Sequence, residues 1–289
     1  GEFMENTSNY ANYKLKEDFE AYLMNNVYLG HAPIHYHDFY EMFFLLSGEA
    51  KYVIEGVTYD LMPGDIILIS PTELHQCSYS LAEPYRRIVI YFTYEYILSA
   101  AGNTKLLTRC FTAHKNHLRL EPAVSNLLMT HAINIAKEFA KKDEYSKIMA
   151  DALLVELLVS INRFVINNLD KNTEKETAKS VLAELVDYIN SNLSSHLSLD
   201  WLADKFYISK YYLIRIFKTE MGITPHRYIT LKRLILAKSI MYSGTKPIDT
   251  YQACGFTDYS SFYTAFKKEY GMSPKHFYNI AKTKNKGYV

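Results

Sequence analysis

In the run His35-Tyr36-His37-Asp38-Phe39-Tyr40-Glu41, continuing as MFFLLSG to Gly48, two imidazoles and a carboxylate lead an apolar stretch. Such groups ligate Zn, Fe, Mn, Ni or Cu, and they also orient small organic molecules by hydrogen bonds while aromatic neighbours supply contact area. Positions 35, 37 and 41 share parity, so on one continuous strand His35, His37 and Glu41 project from the same face, with Phe39, Phe43 and Leu45. Further on, Ser70-Pro71 precedes His75, which placed opposite the first pair completes three nitrogens and one carboxylate. Three readings stand at this point. His35, His37, Glu41 and His75 hold a metal; or, with Phe39, they line an effector pocket and no metal is needed; or the histidines satisfy one another and Glu41.

A second set of residues repeats. Ser209, Leu213, Phe217, Gly222, Pro225 and Tyr228 are each followed 49 residues later by Asp258, Phe262, Phe266, Gly271, Pro274 and Phe277. Leu199, Leu202, Ala203 and Phe206 form an i, i+3, i+4, i+7 face for a short helix after Ser198. Tyr207-Ile208 then makes a turn, Ser209 caps the next helix, and Gly222 is placed to end it. Leu213, Ile216 and Phe217 seat that helix, leaving Lys210, Tyr211, Ile214, Arg215 and Lys218 outward. In the second copy Gly255-Phe256 turns and Asp258 caps, with ITLKRLILAKSIM as a long helix between the copies. Two helix-turn-helix units on one chain can enter successive major-groove segments, where cations meet phosphate and hydroxyl or guanidinium groups reach base edges. The charge agrees: from Lys179 onward there are 16 Lys and Arg against 8 Asp and Glu, whereas the preceding residues are net acidic and the whole chain is only +1. One half attracts polyanions and the other repels them.

The elements that must position these residues follow from patterning. A chain of 289 residues, 48% hydrophobic and 22% charged, has the length for two globular domains. Gly1-Glu2-Phe3-Met4 reads as a cloning scar around the native Met4. No signal-like segment follows, and the best apolar run, Leu153 to Ile161, contains Glu156, so a cytoplasmic protein without membrane contact is expected. Cys77, Cys110 and Cys254 are odd in number and lack metal-ligand spacing, which predicts buried thiols. Short apolar runs between Ser-Gly, Glu-Gly and Pro-Gly-Asp turns predict a β-sandwich or small barrel over residues 27–100, with RRIVIYF as one strand. Residues 121–169 read as helix with two apolar stripes, Ile148/Ala152/Val155/Val159 and Leu154/Leu158/Ile161/Val165. A helix apolar on two sides is covered on both: either one stripe packs on the barrel and the other on a second copy of the chain, or the helix is wholly buried within its own domain. The polar stretch DKNTEKETAK, residues 170–179, reads as a linker.

The C-terminal pattern resembles the AraC/XylS transcription regulators. Their L-A-x5-S-x3-L-x3-F-K-x3-G appears as Leu202-Ala203, Ser209, Leu213, Phe217-Lys218 and Gly222, and their G-F-x-D-x-S-x-F-x3-F-K-x3-G-x-S-P runs unbroken from Gly255 to Pro274. The resemblance covers about residues 180–283. It implies that Tyr211, Ile214 and Arg215 of the first recognition helix, and Tyr259, Ser260, Ser261, Tyr263 and Thr264 of the second, read bases, with Lys210, Lys218 and Lys267 beside them. One departure stands out: Thr250-Tyr251 replaces the usual Ile-Ala, setting a large ring where a small residue permits close helix contact. The N-terminal region is similar to the cupin barrel, whose H-x-H-x3-E-x6-G is present as His35, His37, Glu41 and Gly48. Of the second cupin motif only His75 remains. Sensor domains of this family commonly lack metal, and carbohydrates are a frequent effector class.

The expectation is an α+β chain of two domains. Residues 5–170 form a cupin-like effector-binding and dimerisation domain, residues 171–179 a linker, and residues 180–283 an all-α double helix-turn-helix. It acts as a homodimeric, non-enzymatic regulator of double-stranded DNA in which a small molecule entering the barrel changes DNA binding through a released arm, residues 5–28, or through a shift at the dimer interface. No cofactor is expected. The alternatives are a metal-dependent cupin enzyme fused to a DNA-binding domain, and an effector-independent regulator.

Overall fold

A computed structural model describes residues 14–26, 31–80, 84–102, 104–112, 115–169 and 180–286. The chain divides into two compact units, Gly1–Ala178 and Lys179–Val289. The expected linker, and residues 5–13 and 27–28 of the expected arm, lie outside the described residues.

In the first unit β1 (Phe19–Asn26), β8 (Tyr85–Phe92), β3 (Tyr40–Ser47), β6 (Ile66–Ile69) and the short β9 (His117–Leu118) form one antiparallel sheet in that order. A second sheet has the order β2 (His31–His35), β7 (His75–Tyr79), β4 (Ala50–Ile54), β5 (Val57–Leu61). Among the described residues the sheets are not joined into a closed ring, so the expected barrel is a pair of open sheets. Alternation along β3 and β8 explains why both faces of the larger sheet are covered. Met42, Phe44, Ile88, Ile90 and Phe92 pack with the helices. Phe43, Leu45, Tyr85 and Val89 turn instead to Ala50, Tyr52, Ile54, Leu61 and Cys77 of the smaller sheet.

Two boundaries differ from the sequence reading. The β-region begins at Phe19, because Phe19–Asn26 pairs along its whole length with β8; these residues are sheet, not a free arm. Its run of consecutive strands ends at Phe92, since Thr93 accepts a hydrogen bond from the Tyr96 amide and starts α1 (Tyr94–Ala100), and among the described residues only the two-residue β9 follows. After α2 (Arg109–Thr112) come the two long helices α3 (Pro122–Lys141) and α4 (Ser146–Leu169). On α4 the stripe Leu154, Leu158, Ile161 and Val165 is buried within this unit. On the other stripe Ile148 is 69% exposed, Ala152 is exposed, and Val155 and Val159 are half-buried.

The second unit is helical: α5 (Val181–Ser191), α6 (Leu199–Lys205), α7 (Lys210–Met221), α8 (Pro225–Tyr242), α9 (Pro247–Ala253), α10 (Tyr259–Tyr270) and α11 (Pro274–Lys286). The repeat is physical. Ser209 accepts from the Tyr212 amide at 3.1 Å and Asp258 from the Ser261 amide at 2.8 Å, so both caps perform the same task. Leu213, Phe217 and Tyr228 are fully buried, as are Phe262 and Phe266, and the Phe217–Tyr228 ring contact at 5.7 Å is matched by Phe266–Phe277 at 5.6 Å. The turns differ, however. The left-handed residues are Tyr207 (φ 55°) and Gly255 (φ 85°), one residue nearer in sequence than the caps are, so the second turn holds one extra residue.

That slip decides the place of Tyr251. It matches Ala203, which is buried, while Thr250 matches Leu202 and is fully buried, its hydroxyl donating to the Lys246 carbonyl. Tyr251 stays half-buried at the margin of the C-terminal core, its ring edge-on to Tyr259 at 5.9 Å, so the large side chain is accommodated by facing sideways. Tyr251→Ala should lower stability by about 1 kcal/mol, the worth of an aromatic pair, and alter DNA affinity by releasing Tyr259. Thermal denaturation and a DNA titration check this; no change in either would make the departure inconsequential.

Candidate functional site: an effector pocket and a DNA-binding face

His35 and Glu41 do not share a strand. β2 ends at His35 in the smaller sheet and β3 begins at Tyr40 in the larger one, so Tyr36–Phe39 cross between sheets. The crossing is what gathers the cluster. His35 pairs in register with His75 of β7, their rings 4.2 Å apart. His37, on the crossover, reaches Glu41 on β3, with Nε2 3.0 Å from Oε2, and His75 Nε2 lies 3.6 Å from the same oxygen. The donor atoms of His37, Glu41 and His75 all lie within 4.8 Å of one another, and all three side chains are buried. Phe39 stacks flat on His37 at 3.9 Å. Phe43 and Leu45 belong to the layer between the sheets.

Each imidazole is oriented in the same way. Nδ1 of His35 meets the Pro33 carbonyl at 2.8 Å, that of His37 the Phe39 carbonyl at 2.9 Å, and that of His75 the Glu73 carbonyl at 2.8 Å. A carbonyl oxygen only accepts, so all three Nδ1 atoms carry the proton and a neutral ring presents a lone pair at Nε2. Burial lowers the pKa of His35, and burial with the nearby His35 and His37 lowers that of His75 well below the ordinary histidine value. His75 Nε2 is buried without a hydrogen-bond partner among the described residues. With Nδ1 donating to the Phe39 carbonyl, a neutral His37 ring meets Glu41 Oε2 acceptor to acceptor, a contact that needs a proton or a cation shared between Nε2 and Oε2. Tyr52, whose phenol burial keeps protonated, adds its hydroxyl 3.4 Å from Glu41 Oε1.

Sequence reasoning missed Tyr52 and also Arg87, a buried guanidinium among Tyr85, Tyr52 and Cys77. A signal existed for Arg87. Arg86 and Arg87 are consecutive on one strand, so they cannot both face outward. The thiols are free and buried, and burial raises the pKa of Cys77 to about 11 and of Cys110 and Cys254 to about 12, which makes them inert.

In the second unit, nine of the sequence-identified residues are exposed: Lys210, Tyr211, Arg215 and Lys218 on α7, and Ser260, Ser261, Tyr263, Thr264 and Lys267 on α10. Ile214 and Tyr259 are half-buried. Two exposed members are engaged within the fold: the Ser261 hydroxyl donates to Asp258 at 2.8 Å, and Lys210 pairs with Asp200 at 2.9 Å. Arg215 lies over the Tyr212 ring at 5.4 Å.

A β-sandwich with a buried polar cluster, together with a paired helix-turn-helix unit, defines a ligand-binding DNA-binding regulator. Residues 19–158 match the AraC-like ligand binding domain and residues 202–279 a helix-turn-helix domain. The HTH-type transcriptional activator RhaS of Escherichia fergusonii is 25% identical over 248 residues, covering 85% of this chain and 87% of that protein. RhaS of Yersinia pestis bv. Antiqua is 27% identical over 247 residues, covering 84% and 88%. Among solved structures, ToxT from Vibrio cholerae O395 overlaps at a TM-score of 0.37 with 15% identity, over 92% of this chain and 99% of that one. The chain belongs to the AraC/XylS family of transcription regulators. It is a transcription regulator with an N-terminal ligand-binding domain and a C-terminal helix-turn-helix DNA-binding domain. No helix among the described residues is long and apolar enough to cross a membrane.

Proposed function

We propose that this chain is a cytoplasmic, non-enzymatic, one-component regulator acting as a homodimer, in which a small organic effector entering the sensor unit changes how the helix-turn-helix units bind DNA. Residues 5–170 are the sensor and dimerisation domain, 171–179 the linker and 180–283 the DNA-binding domain. His35, His37, Phe39, Glu41 and His75 form the wall of the effector pocket, and a carbohydrate is the class the family resemblance implies. DNA is contacted by Lys210, Tyr211, Ile214, Arg215 and Lys218 on α7 and by Tyr259, Ser260, Ser261, Tyr263, Thr264 and Lys267 on α10. The observation that carries the reading is that one chain joins a buried polar cluster to two similarly capped helix-turn-helix units with exposed polar faces. Dimerisation is supported by the apolar side chains left open where α4 begins, Tyr145, Ile148 and Met149. To switch the protein, the effector must bind two arrangements of it with different affinity.

The test is binding of the full chain to the DNA upstream of its own gene. A salt-sensitive, sequence-preferring affinity is expected; equal affinity for that duplex and a scrambled one sinks the proposal.

A second reading of the pocket, as a site for a divalent transition ion, has one specific observation in its favour. With the Nδ1 of both rings held by a carbonyl, the His37 and His75 Nε2 atoms and Glu41 converge as acceptors, and among the described residues His75 Nε2 has no hydrogen-bond partner. These donors fit such an ion, with the carbonyls as the usual outer supports of metal-binding histidine. The ion would supply the positive charge that three converging acceptors lack. Titrating metal-stripped protein with Co2+ distinguishes the readings. Visible d–d absorption that disappears in His37→Ala supports the metal, and absence of absorption together with an unchanged melting temperature rejects it.

A further inference from the structure

Among the described residues Arg87 is the one strongly basic side chain placed in the layer between the sheets. On β8 it alternates with Tyr85, Val89 and Tyr91, the face directed at the smaller sheet, and it pairs in register with Leu45 of β3 and Met24 of β1. It is 9% exposed, and its buried Nη1 has no hydrogen-bond partner among the described residues. Among the described residues no carboxylate pairs with it. Its close neighbour is the Tyr85 ring, 4.8 Å from the guanidinium carbon, with the Tyr52 hydroxyl and the Cys77 thiol nearby, all of them neutral. Its strand neighbour Arg86 shows the ordinary alternative, lying exposed with Nε donating to Asn25.

A buried guanidinium without an anion is expensive. Taking a charge out of water costs several kcal/mol, and the loss is recovered only by a charge partner with good hydrogen-bond geometry. Arginine remains charged at any working pH, so the protein cannot escape the cost by neutralising it. Leu45 and Met24, its partners across the sheet, are aliphatic, so packing alone asks for nothing more than a long apolar side chain at this position. The guanidinium fork matches a carboxylate or a phosphate, which it grips with two parallel hydrogen bonds. Glu41 is not that partner, being held by His37 and Tyr52, and along β3 it lies four residues from Leu45, about 13 Å at the rise of a strand.

We propose that Arg87 is the anion-binding residue of the sensor interior and that the effector carries an oxyanion, a carboxylate or a phosphate. The oxyanion takes Arg87 at one end of the interior, tyrosine rings flank the middle of the molecule, and hydroxyl groups at its other end meet the Glu41–histidine cluster. A sugar acid and a sugar phosphate both have this form; a neutral sugar does not. The inference rests on the sensor reading above and narrows its effector class.

The experiment uses the full chain at constant pH and ionic strength, melted in chloride, acetate and inorganic phosphate. Acetate or phosphate should raise the wild-type melting temperature saturably by about 3–6 °C, what a tenfold excess over the dissociation constant gives a domain of this size. Arg87→Met should show no such rise. An equal response in both proteins, or no response of the wild type to either anion, overturns the proposal. Gluconate and glucose 6-phosphate, each compared with glucose, then tell the two sources of the oxyanion apart. Should Arg87→Met not fold, the side-chain Nε–H resonance of Arg87, assigned by its absence in Arg87→Lys, replaces melting as the readout. Its movement on adding acetate or phosphate supports the assignment, and its constancy overturns it. DNA binding is measured on the same samples. An anion response without DNA binding rejects the regulator reading and leaves the Arg87 site standing; DNA binding with no anion response does the reverse.

Discussion

Gly255→Ala should destabilise the C-terminal unit by about 3–5 kcal/mol and with it abolish DNA binding at 37 °C, because three costs coincide at this residue. Gly255 has φ 85°, in the left-handed region where a side chain costs about 1–2 kcal/mol. An added Cβ would overlap the Leu193 carbonyl oxygen and meet Arg233 Nε and Nη2 at 2.9 Å. Those guanidinium atoms are not free to retreat: Nε donates to the Leu193 carbonyl at 2.9 Å and Nη2 to the Ser195 carbonyl at 2.8 Å. The turn of the second helix-turn-helix is thus pressed against the segment that joins α5 to α6, with Arg233 of α8 tying the two. Gly271→Ala is the control. It has φ 69° but open space around an added Cβ, so only the backbone cost of about 1–2 kcal/mol applies. Trp201 of α6 is the chain's only tryptophan, so its fluorescence during urea unfolding reports on the C-terminal unit. Equal losses for the two variants would mean that the close approach at Gly255 contributes nothing. A domain stability of about 5–15 kcal/mol leaves little margin for the larger loss.

Arg215→Ala should weaken specific DNA binding by about ten- to a hundredfold and relax the preference at one base position, as expected when a bidentate base contact is removed. Three side chains of α7 that resemble one another in charge are predicted to differ, for reasons of geometry. Arg215 is exposed, near the middle of the helix, and rests on the Tyr212 ring, which limits its conformers without occupying its hydrogen bonds. Lys218, one turn later, is exposed at the helix end; Lys218→Ala should weaken binding to all sequences alike and reduce the salt slope by about one unit. Lys210 is paired with Asp200 of α6, so part of its charge is already answered within the fold, and Lys210→Ala should have the smallest effect of the three. Fluorescence anisotropy of a labelled duplex, repeated over a salt series and with single-base variants, separates these outcomes. An Arg215→Ala protein with wild-type affinity and wild-type base preference would remove Arg215 from the interface.

Much of the C-terminal unit was legible because its information is local. A cap satisfies an amide three residues on, a glycine ends a helix within one turn, and buried positions recur at the helical period. Ser209, Asp258, Gly222 and Gly271 therefore mark their helices from sequence alone, and the 49-residue repeat announces two equivalent units. The slip of one residue between the turns was not legible, since Tyr207 gives no sign in sequence of standing at φ 55° where the second unit has Gly255.

The sensor unit divides differently. Alternation in β3 and β8 told which side chains face the same way, and the residue types at 35, 37, 41 and 75 told which chemistry they can do. Parity is a property of one strand, however, and these residues belong to different sheets. Their convergence comes from the crossover at Tyr36–Phe39 and from the register that sets His35 against His75. The same limit hid Arg87: a sequence shows that one of two consecutive arginines must turn inward, and only sheet pairing shows what it meets there. By itself the sequence determined the caps and glycine ends of the repeated helices, the side chains that α7 and α10 leave outward, and the donor chemistry of the histidines and Glu41. The tertiary structure alone decided that these donors meet at one buried point with a guanidinium in the same interior, because strand pairing between distant segments is not written in any local period.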